Sequence, residues 1–210
     1  MLLIRFWTTC ISYLVEISIK MLKIFASKFG LVVFLLHLVI VESPFAGDVE
    51  ENIRYARAAV RDSLLRGEAP IASHLLYTQE GILDDNVPEQ RKLGIDAGLA
   101  WGKVADYTAV YVDRGISSGM WYGIENALKA GRPIYYRSLP DFAQGEELDI
   151  SSLEDGDVFF AEGDDNDNIV GRVFMKDGEL YFTYNGSDFK VEGLSLRVRR
   201  LPNPAGGQTT

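Results

Sequence analysis

Carboxylate, hydroxyl and glycine residues gather directly after an apolar run, in the segment Glu42-Ser43-Pro44-Phe45-Ala46-Gly47-Asp48. A carboxylate in this position is costly to bury unless it is paired, which makes Glu42 a candidate catalytic group. Ser43 beside it is a candidate substrate-binding residue. Gly47, Asp48 and the amides that follow could hold a phosphate at a helix N-terminus, with a plain helix cap as the alternative role of Asp48.

Two further segments carry the same kinds of residue. In Ser73-His74, the serine is a candidate binding residue and the imidazole is suited to acid–base chemistry near neutral pH; a structural role for His74 is the alternative. In the segment from Asp113 to Met120, the aspartate could bind a sugar hydroxyl or move a proton. Free amides at a helix start could surround ribose or phosphate there, and a capped turn is the alternative. The binding residues proposed for this segment are Ser117, Ser118, Gly119 and Met120.

Several other classes of site are disfavoured by the sequence. It has neither a Walker loop nor a Gly-x-Gly-x-x-Gly or Gly-x-Ser-x-Gly motif, which argues against an ATPase, a dinucleotide dehydrogenase and a hydrolase triad. The single cysteine, Cys10, excludes an intramolecular disulfide and a cysteine-rich zinc site. The formal net charge of −9 argues against nucleic acid as a partner. We therefore expect a nucleoside, nucleotide or phosphosugar ligand, with no cofactor and no metal.

The elements that would position these segments alternate between strand and helix patterns. The predicted strands are Leu35–Val41, Pro70–Leu76, Tyr107–Val112 and Pro133–Tyr136. The predicted helices begin after Asp48, at Pro88 and after Ser118. The residues expected on the buried face of the second helix are Leu93, Ala97, Trp101 and Val104. Alternation of this kind predicts an α/β fold, with a Rossmann-like (flavodoxin-like) parallel sheet over residues 35–139. Ligands bind beyond the carboxyl ends of such strands, where the candidate segments lie.

The two ends of the chain differ from this middle part. Residues 140–201 alternate with period two and predict a small antiparallel β-meander with strands at Asp157–Ala161, Ile169–Met175, Glu179–Tyr184 and Phe189–Leu194. Residues 202–210 predict a disordered tail. Residues 1–34 form an apolar, basic extension whose uncharged stretch is shorter than the roughly 20 residues of a spanning helix. We expect a cytoplasmic protein, with membrane anchoring through residues 21–41 as the less favoured alternative.

Four segments of the sequence resemble the nucleoside 2-deoxyribosyltransferase superfamily, which includes nucleotide N-glycosidases. The similarity is greatest to an uncharacterised phage and bacterial branch, so the compartment would be the host cytoplasm if the chain is phage-encoded. The resemblance covers about Val39–Leu139. The segments that carry it are Val41–Asp48, Ser73–Thr78, Leu93–Trp101 and Asp113–Glu125.

The resemblance implies cleavage or transfer of an N-glycosidic bond, in which a glutamate attacks the anomeric carbon and an aspartate helps to protonate the leaving base. Four residues after Gly119, where that glutamate is expected, this chain has Gly123. Glu125 lies two residues further on, about 200° around a helix. Either Glu42 or Glu125 replaces the nucleophile, or covalent chemistry is absent. Asp96, a candidate substrate-binding residue, and Asp113 are similar to acidic positions of the family.

Three hypotheses of function follow. The first is an enzyme that acts on a nucleoside or nucleotide, with Glu42, Asp113, His74 and Glu125 as candidate catalytic residues. The second is a nucleotide-binding or signal-sequestering module without turnover, which Gly123 favours. The third is an interaction protein whose working surface is the acidic β-meander; it predicts that the α/β part folds without residues 141–210. A homo-oligomer is compatible with each.

Overall fold

Two β-sheets organise the chain in a computed structural model that describes residues 36–163, 167–184 and 187–202. The predictions for residues 1–34 and for the tail after residue 202 lie outside these ranges. The described residues from His37 onward form one compact unit. No helix in the described ranges is both long enough and apolar enough to cross a membrane.

The first sheet is parallel and has four strands in the order β2-β1-β3-β4. Its strands are β1 (His37–Glu42), β2 (Glu68–Ile71), β3 (Tyr107–Tyr111) and β4 (Ile134–Arg137). The predicted α/β arrangement with a parallel sheet is confirmed. In the central pair, Ile40 lies beside Thr108 and Glu42 lies beside Val110. The carboxyl end of β1 therefore lies next to that of β3, where the order of the strands reverses.

Four helices connect the strands and cover this sheet: α1 (Val49–Leu65), α2 (Ser73–Tyr77), α3 (Pro88–Trp101) and α4 (Ser118–Lys129). Helix α1 begins at its predicted cap, because an Asp48 carboxylate oxygen accepts a hydrogen bond from the Glu51 amide at 3.3 Å. The Ser117 hydroxyl likewise accepts a hydrogen bond from the Met120 amide at 3.3 Å. Both caps fix the positions of loops that follow β1 and β3.

The second strand is shorter than predicted. Strand β2 ends at Ile71, where its pairing with β1 ends, and Ser73 begins a helix instead of continuing the strand. The amides of Leu75 and Leu76 both donate to the carbonyl of Ala72. Among the described strands, β2 lies at the edge of the sheet and pairs with β1 alone. The chain beyond Ile71 therefore satisfies its amides locally by forming a helical turn.

Helix α3 is rotated relative to the prediction. Leu93 is 59 % exposed and Trp101 is 46 % exposed, so the face that was expected to be buried points largely to solvent. The inner face instead carries glycines one turn apart. A Cβ atom on Gly98 would lie 2.7 Å from the Ser73 hydroxyl oxygen, and one on Gly94 would lie 3.3 Å from Leu83. Because Gly94 and Gly98 have no side chains, α3 approaches α2 and the loop after it more closely than it could with larger residues at these positions.

The second sheet is antiparallel and has six strands in the order β5-β10-β6-β7-β8-β9. Its strands are β5 (Glu147–Asp149), β6 (Val158–Ala161), β7 (Ile169–Lys176), β8 (Glu179–Tyr184), β9 (Ser187–Lys190) and β10 (Arg197–Arg200). The predicted antiparallel region is confirmed, but β5 and β10 were missed because they are short and carry charged residues. The last predicted strand, Phe189–Leu194, is wrong in its bounds because pairing with β8 ends at Lys190.

The two sheets share a hydrophobic core. Val110 and Ile124 from the parallel part pack in one buried cluster with Phe160 and Val170 from the antiparallel part. On the opposite face of the parallel sheet, residues of α1 pack against β1 and β3. The antiparallel sheet is therefore part of the same packed body as the sheet that carries the candidate segments.

Candidate functional site

A cavity of about 340 Å³ lies at the carboxyl ends of β1 and β3, lined by residues of α2, α3 and α4. It brings together most of the residues that the sequence nominated. The predicted site residues that line it are Glu42, Ser43, Ser73, His74, Ser117, Ser118, Gly119 and Met120. They come from all three candidate segments, as the rule for parallel sheets anticipates.

Glu42, the last residue of β1, is the distinctive group of the cavity. Its side chain leaves the sheet on the same face as that of Ile40, because residues two apart share a face. No described residue forms a hydrogen bond with its carboxyl group. Burial raises the pKa of Glu42 to about 8, and the positive charge of Arg132 opposes that rise. At neutral pH this carboxyl is therefore mostly protonated.

Gly123 in α4 makes room for this carboxyl. A Cβ atom on Gly123 would lie 2.7 Å from Cδ of Glu42 and 3.2 Å from its Oε2. The carboxyl of Glu42 thus occupies the space that a side chain at position 123 would need. Glu125, the other candidate nucleophile, is exposed on α4 and pairs with the ammonium of Lys129 at 3.3 Å. The structure brings Glu42 into the cavity and leaves Glu125 outside it.

Ser43 and His74 form a hydrogen-bonded pair in the cavity wall. The Ser43 Oγ and His74 Nε2 atoms are 2.8 Å apart, and Ser43 is only 4 % exposed. Burial lowers the pKa of His74 to about 4, so its imidazole is neutral at pH 7. The ring of Phe45 meets the imidazole edge to face at 6.2 Å. His74 can therefore exchange hydrogen bonds with a ligand, but it is not a cation at neutral pH.

The start of α4 supplies hydrogen-bond donors to the cavity. The amides of Ser118 and Gly119 have no acceptor within the helix, as at every helix start. A Cβ atom on Gly119 would find only the Ser117 hydroxyl within 4 Å, at 3.9 Å. The space beside these amides is open, and the positive end of the helix dipole favours an anion or a polar oxygen there.

Asp113 lies outside the cavity. Its fully buried carboxylate accepts hydrogen bonds from the Tyr55 hydroxyl, the Ser138 hydroxyl and the Leu139 amide. Arg199 of β10 forms an ion pair with it at 3.0 Å. With its oxygens occupied in this way, Asp113 has a structural role, and the expectation of a catalytic one is not supported.

The other predicted binding residues also lie away from the cavity. Asp96 is on the outer side of α3, where it pairs with Lys92 and is largely exposed. Asp48 caps α1. Gly47 adopts a positive φ of 93° in the loop before α1 and borders a neighbouring surface cleft instead of the cavity. The sequence pattern placed Gly47 and Asp48 in the loop after β1 but could not give the direction in which they face.

Several residues of the cavity were not among the predicted site residues. Arg132, before β4, donates from Nε to the Thr108 hydroxyl at 2.9 Å and from Nη1 to the Gly102 carbonyl at 2.7 Å. Arg91 and Asp85 form an ion pair in the lining. Tyr77 and Tyr122 add aromatic rings to the lining. Arg132 and Arg91 lie outside the loops that follow the strand ends, so the rule that nominated the other residues could not find them.

The whole cavity lies within a segment of the chain that matches a family model. Residues 37–137 match the model of a family described as "Domain of unknown function (DUF7768)". Every residue that lines the cavity lies inside this segment. No curated protein and no solved structure matches the chain significantly.

Proposed function

We propose that this protein binds a nucleoside or nucleotide and cleaves or transfers its N-glycosidic bond, with Glu42 as the nucleophile. One observation carries the proposal: a carboxyl without a hydrogen-bond partner among the described residues lies against Gly123 in a cavity. The resemblance to deoxyribosyltransferases implies a nucleophilic glutamate at that very position of α4. The Glu42 carboxyl, which comes from β1, would occupy the place of that glutamate's carboxyl although it belongs to a different position of the sequence.

The proposed reaction has two steps. In the first, a Glu42 carboxylate oxygen forms a bond to C1′ of the sugar while the C1′–N bond breaks. The base leaves with the bonding electron pair and takes a proton from water. In the second, a water molecule or another nucleobase gives up a proton and attacks C1′, which releases Glu42. A carboxylate suits this chemistry because the transition states resemble an oxocarbenium ion.

The remaining cavity residues suit the other parts of such a substrate. The amides of Ser118 and Gly119 can receive a phosphate or a sugar oxygen. The Ser43 hydroxyl and the His74 imidazole can exchange hydrogen bonds with a ribose or a base. The rings of Tyr77 and Tyr122 offer faces for a base.

We propose further that the parallel sheet is of the Rossmann-like, flavodoxin-like type and that the chain is related to the deoxyribosyltransferase superfamily. The strand order β2-β1-β3-β4 supports the first point, because flavodoxin-like sheets also begin with this order. The cavity lies between the loops after β1 and β3, the position at which such sheets bind nucleotides.

Release of free base tests the proposal. The full chain is incubated with deoxynucleosides, ribonucleosides, their 5′-monophosphates and NAD, and free base is measured by chromatography. We expect release from at least one member, and a loss of at least about 10³-fold in kcat for Glu42→Gln. The matched control is Glu125→Gln, which removes an exposed carboxylate from α4 and should leave kcat unchanged. An inactive wild type across the whole panel contradicts the proposal.

A binding module without turnover is the second candidate, and the glycine at position 123 favours it. The cavity, the helix start and the Ser43–His74 pair would serve binding equally well. A thermal-shift screen with the same panel separates the two functions. A compound that stabilises the protein and is recovered intact after long incubation supports the binding module, whereas recovery of its free base supports the enzyme.

A further inference from the structure

Arg132 is an unpaired cation in the wall of the cavity. Two of its N–H groups are held, one by the Thr108 hydroxyl at 2.9 Å and one by the Gly102 carbonyl at 2.7 Å. A guanidinium has five N–H groups, so three remain without a partner in the described part of the chain. No described carboxylate lies within ion-pair distance of it, whereas the cavity's other arginine, Arg91, is paired with Asp85.

The guanidinium is held in place by its surroundings. A Cβ atom on Gly102 would lie 2.8 Å from Nη1 and 3.2 Å from Cζ of Arg132. The guanidinium therefore packs against Gly102 in space that a side chain there would need. Its other anchor, Thr108, is fully buried in β3 beside Ile40 of β1. Glu42 follows Ile40 by two residues on the same face, about 7 Å further along the strand. The unpaired guanidinium and the unpaired carboxyl therefore border one cavity at neighbouring positions.

We infer that Arg132 is a positioning residue that acts through Glu42: it is the counter-charge that allows Glu42 to ionise inside the cavity. The inference deepens the proposed function, on which its catalytic meaning rests. A nucleophilic carboxylate has to carry a negative charge, and burial alone favours the neutral acid. A fixed cation nearby, too far for a direct ion pair, stabilises the charge without blocking the carboxylate oxygens.

The other charged or titratable groups around Glu42 do not compete for this role. Helix α4 presents Gly123 to it, and the charged pair of α4, Glu125 with Lys129, is exposed. Helix α2 contributes the neutral imidazole of His74 and the phenol of Tyr77, and α4 contributes the phenol of Tyr122. The loop before α3 and the start of α3 contribute Asp85 and Arg91, which neutralise each other.

Titration of Glu42 in the ligand-free full chain tests the inference without any need for activity. The ¹³C carboxyl signal of Glu42 is assigned by its disappearance in Glu42→Gln and is followed against pH. Arg132→Gln should raise the midpoint by about one pH unit, because a nearby positive charge is lost. Arg132→Lys should restore most of the difference. Lys129→Gln, the matched control, removes an exposed cation from α4 and should leave the midpoint unchanged. An unchanged midpoint in folded Arg132→Gln overturns the inference.

A second measurement covers the case in which Arg132→Gln does not fold. In the wild type, the ¹⁵N signal of Arg132 Nε should shift with the same midpoint as the Glu42 carboxyl. In Glu42→Gln, which keeps the shape of the side chain, that transition should be absent. An Arg132 signal that does not respond to the ionisation of Glu42 overturns the inference.

The outcomes also distinguish this inference from the proposed function. If the two groups titrate together and no compound of the panel releases base, the proposed function fails and the coupling stands. If base is released through Glu42 but the groups titrate independently, the role of Arg132 fails alone. In an active enzyme, Arg132→Gln should lower kcat/KM about tenfold at pH 7 and less at pH 9, where Glu42 ionises without help.

Discussion

At the scale of single residues, the main feature of the cavity is the free-energy cost of burying the Glu42 carboxyl group. Glu42 lacks a hydrogen-bond partner among the described residues, and its pKa is raised from an ordinary 4.5 to about 8. A group of this kind weakens the fold when it is ionised. Proteins keep such groups where a ligand or a reaction uses them, so the cost itself points to function.

The dependence of stability on pH should report this cost. Because the folded pKa of Glu42 lies above the unfolded one, its contribution to stability is intact below about pH 4.5 and is lost as pH rises through about 8. In Glu42→Gln this loss is absent, so the variant should gain stability relative to the wild type over that window. We expect a gain of about 3 kcal/mol by pH 9, which is less than the full pKa shift would give because Glu42 is partly exposed.

Urea unfolding of the two proteins at several pH values measures this difference. Glu125→Gln is the control, since Glu125 is exposed and its loss should shift stability equally little at every pH. A constant difference between wild type and Glu42→Gln from pH 5 to pH 9 would contradict the prediction.

A methyl group at position 123 should displace the Glu42 carboxyl group. In Gly123→Ala the new Cβ would meet the Glu42 carboxyl, 2.7 Å from Cδ, and would force it to move. Because the carboxyl is the far end of a flexible side chain and can turn aside, we expect a change of about 1 kcal/mol or less in unfolding free energy, together with a loss of any activity that depends on Glu42. Gly119→Ala in the same helix is the matched control, because its Cβ meets open space. That variant should be neutral or more stable by up to about 1 kcal/mol, because alanine favours helix.

At the scale of elements, the packing of α3 depends on its glycines. In Gly98→Ala the new Cβ would lie 2.7 Å from Oγ and 3.0 Å from Cβ of Ser73, so α2 would have to shift. We expect a loss of about 1–3 kcal/mol and an altered cavity. Gly94→Ala faces a flexible end of Leu83 at 3.3 Å and should cost little or stabilise the helix. Thermal unfolding of both variants measures this difference. Equal melting temperatures for Gly98→Ala and Gly94→Ala would contradict the close packing of α3 at Gly98.

The same helix illustrates the limit of prediction from sequence. The alternation of strands and helices, the cap at Asp48 and the meeting of three loops follow from local patterns. Local patterns do not predict which face of α3 is buried. Its apolar residues suggest burial of Leu93 and Trp101, but glycine packing against Ser73 decides the orientation, and periodicity scores glycine as neither apolar nor polar. Asp113 forms its ion pair with Arg199, which lies 86 residues away in the sequence, so no local pattern could predict this contact.

At the scale of the whole molecule, the antiparallel sheet completes the core of the parallel part. Val110, Ile116 and Ile124 pack directly in one cluster with Phe160 and Val170. Deletion of residues 141–210 would expose that apolar surface to water and leave Asp113 without its buried partner. We therefore expect the truncated chain to lack cooperative thermal unfolding, contrary to the expectation from an independent interaction surface. A truncated chain that retains sharp, dispersed NMR signals would contradict this.

The ion pair between Asp113 and Arg199 should couple the two sheets energetically. Its atoms are 3.0 Å apart, Asp113 is fully buried, and the Arg199 guanidinium also lies over the Phe160 ring at 5.1 Å. In Arg199→Met the apolar stem stays but the charge is lost, leaving a buried carboxylate without its cation. Removal of one partner of such a pair costs about 3 kcal/mol.

Arg197→Met provides the matched control, because Arg197 belongs to the same strand but is exposed, and its loss should cost under about 0.5 kcal/mol. Combining Arg199→Met with Asp113→Asn should then cost less than the sum of the single changes, since the second change removes the charge that the first one strands. A coupling energy of at least about 1 kcal/mol in urea unfolding is expected. Strictly additive losses would mean that the two sheets are joined by their shared apolar core alone.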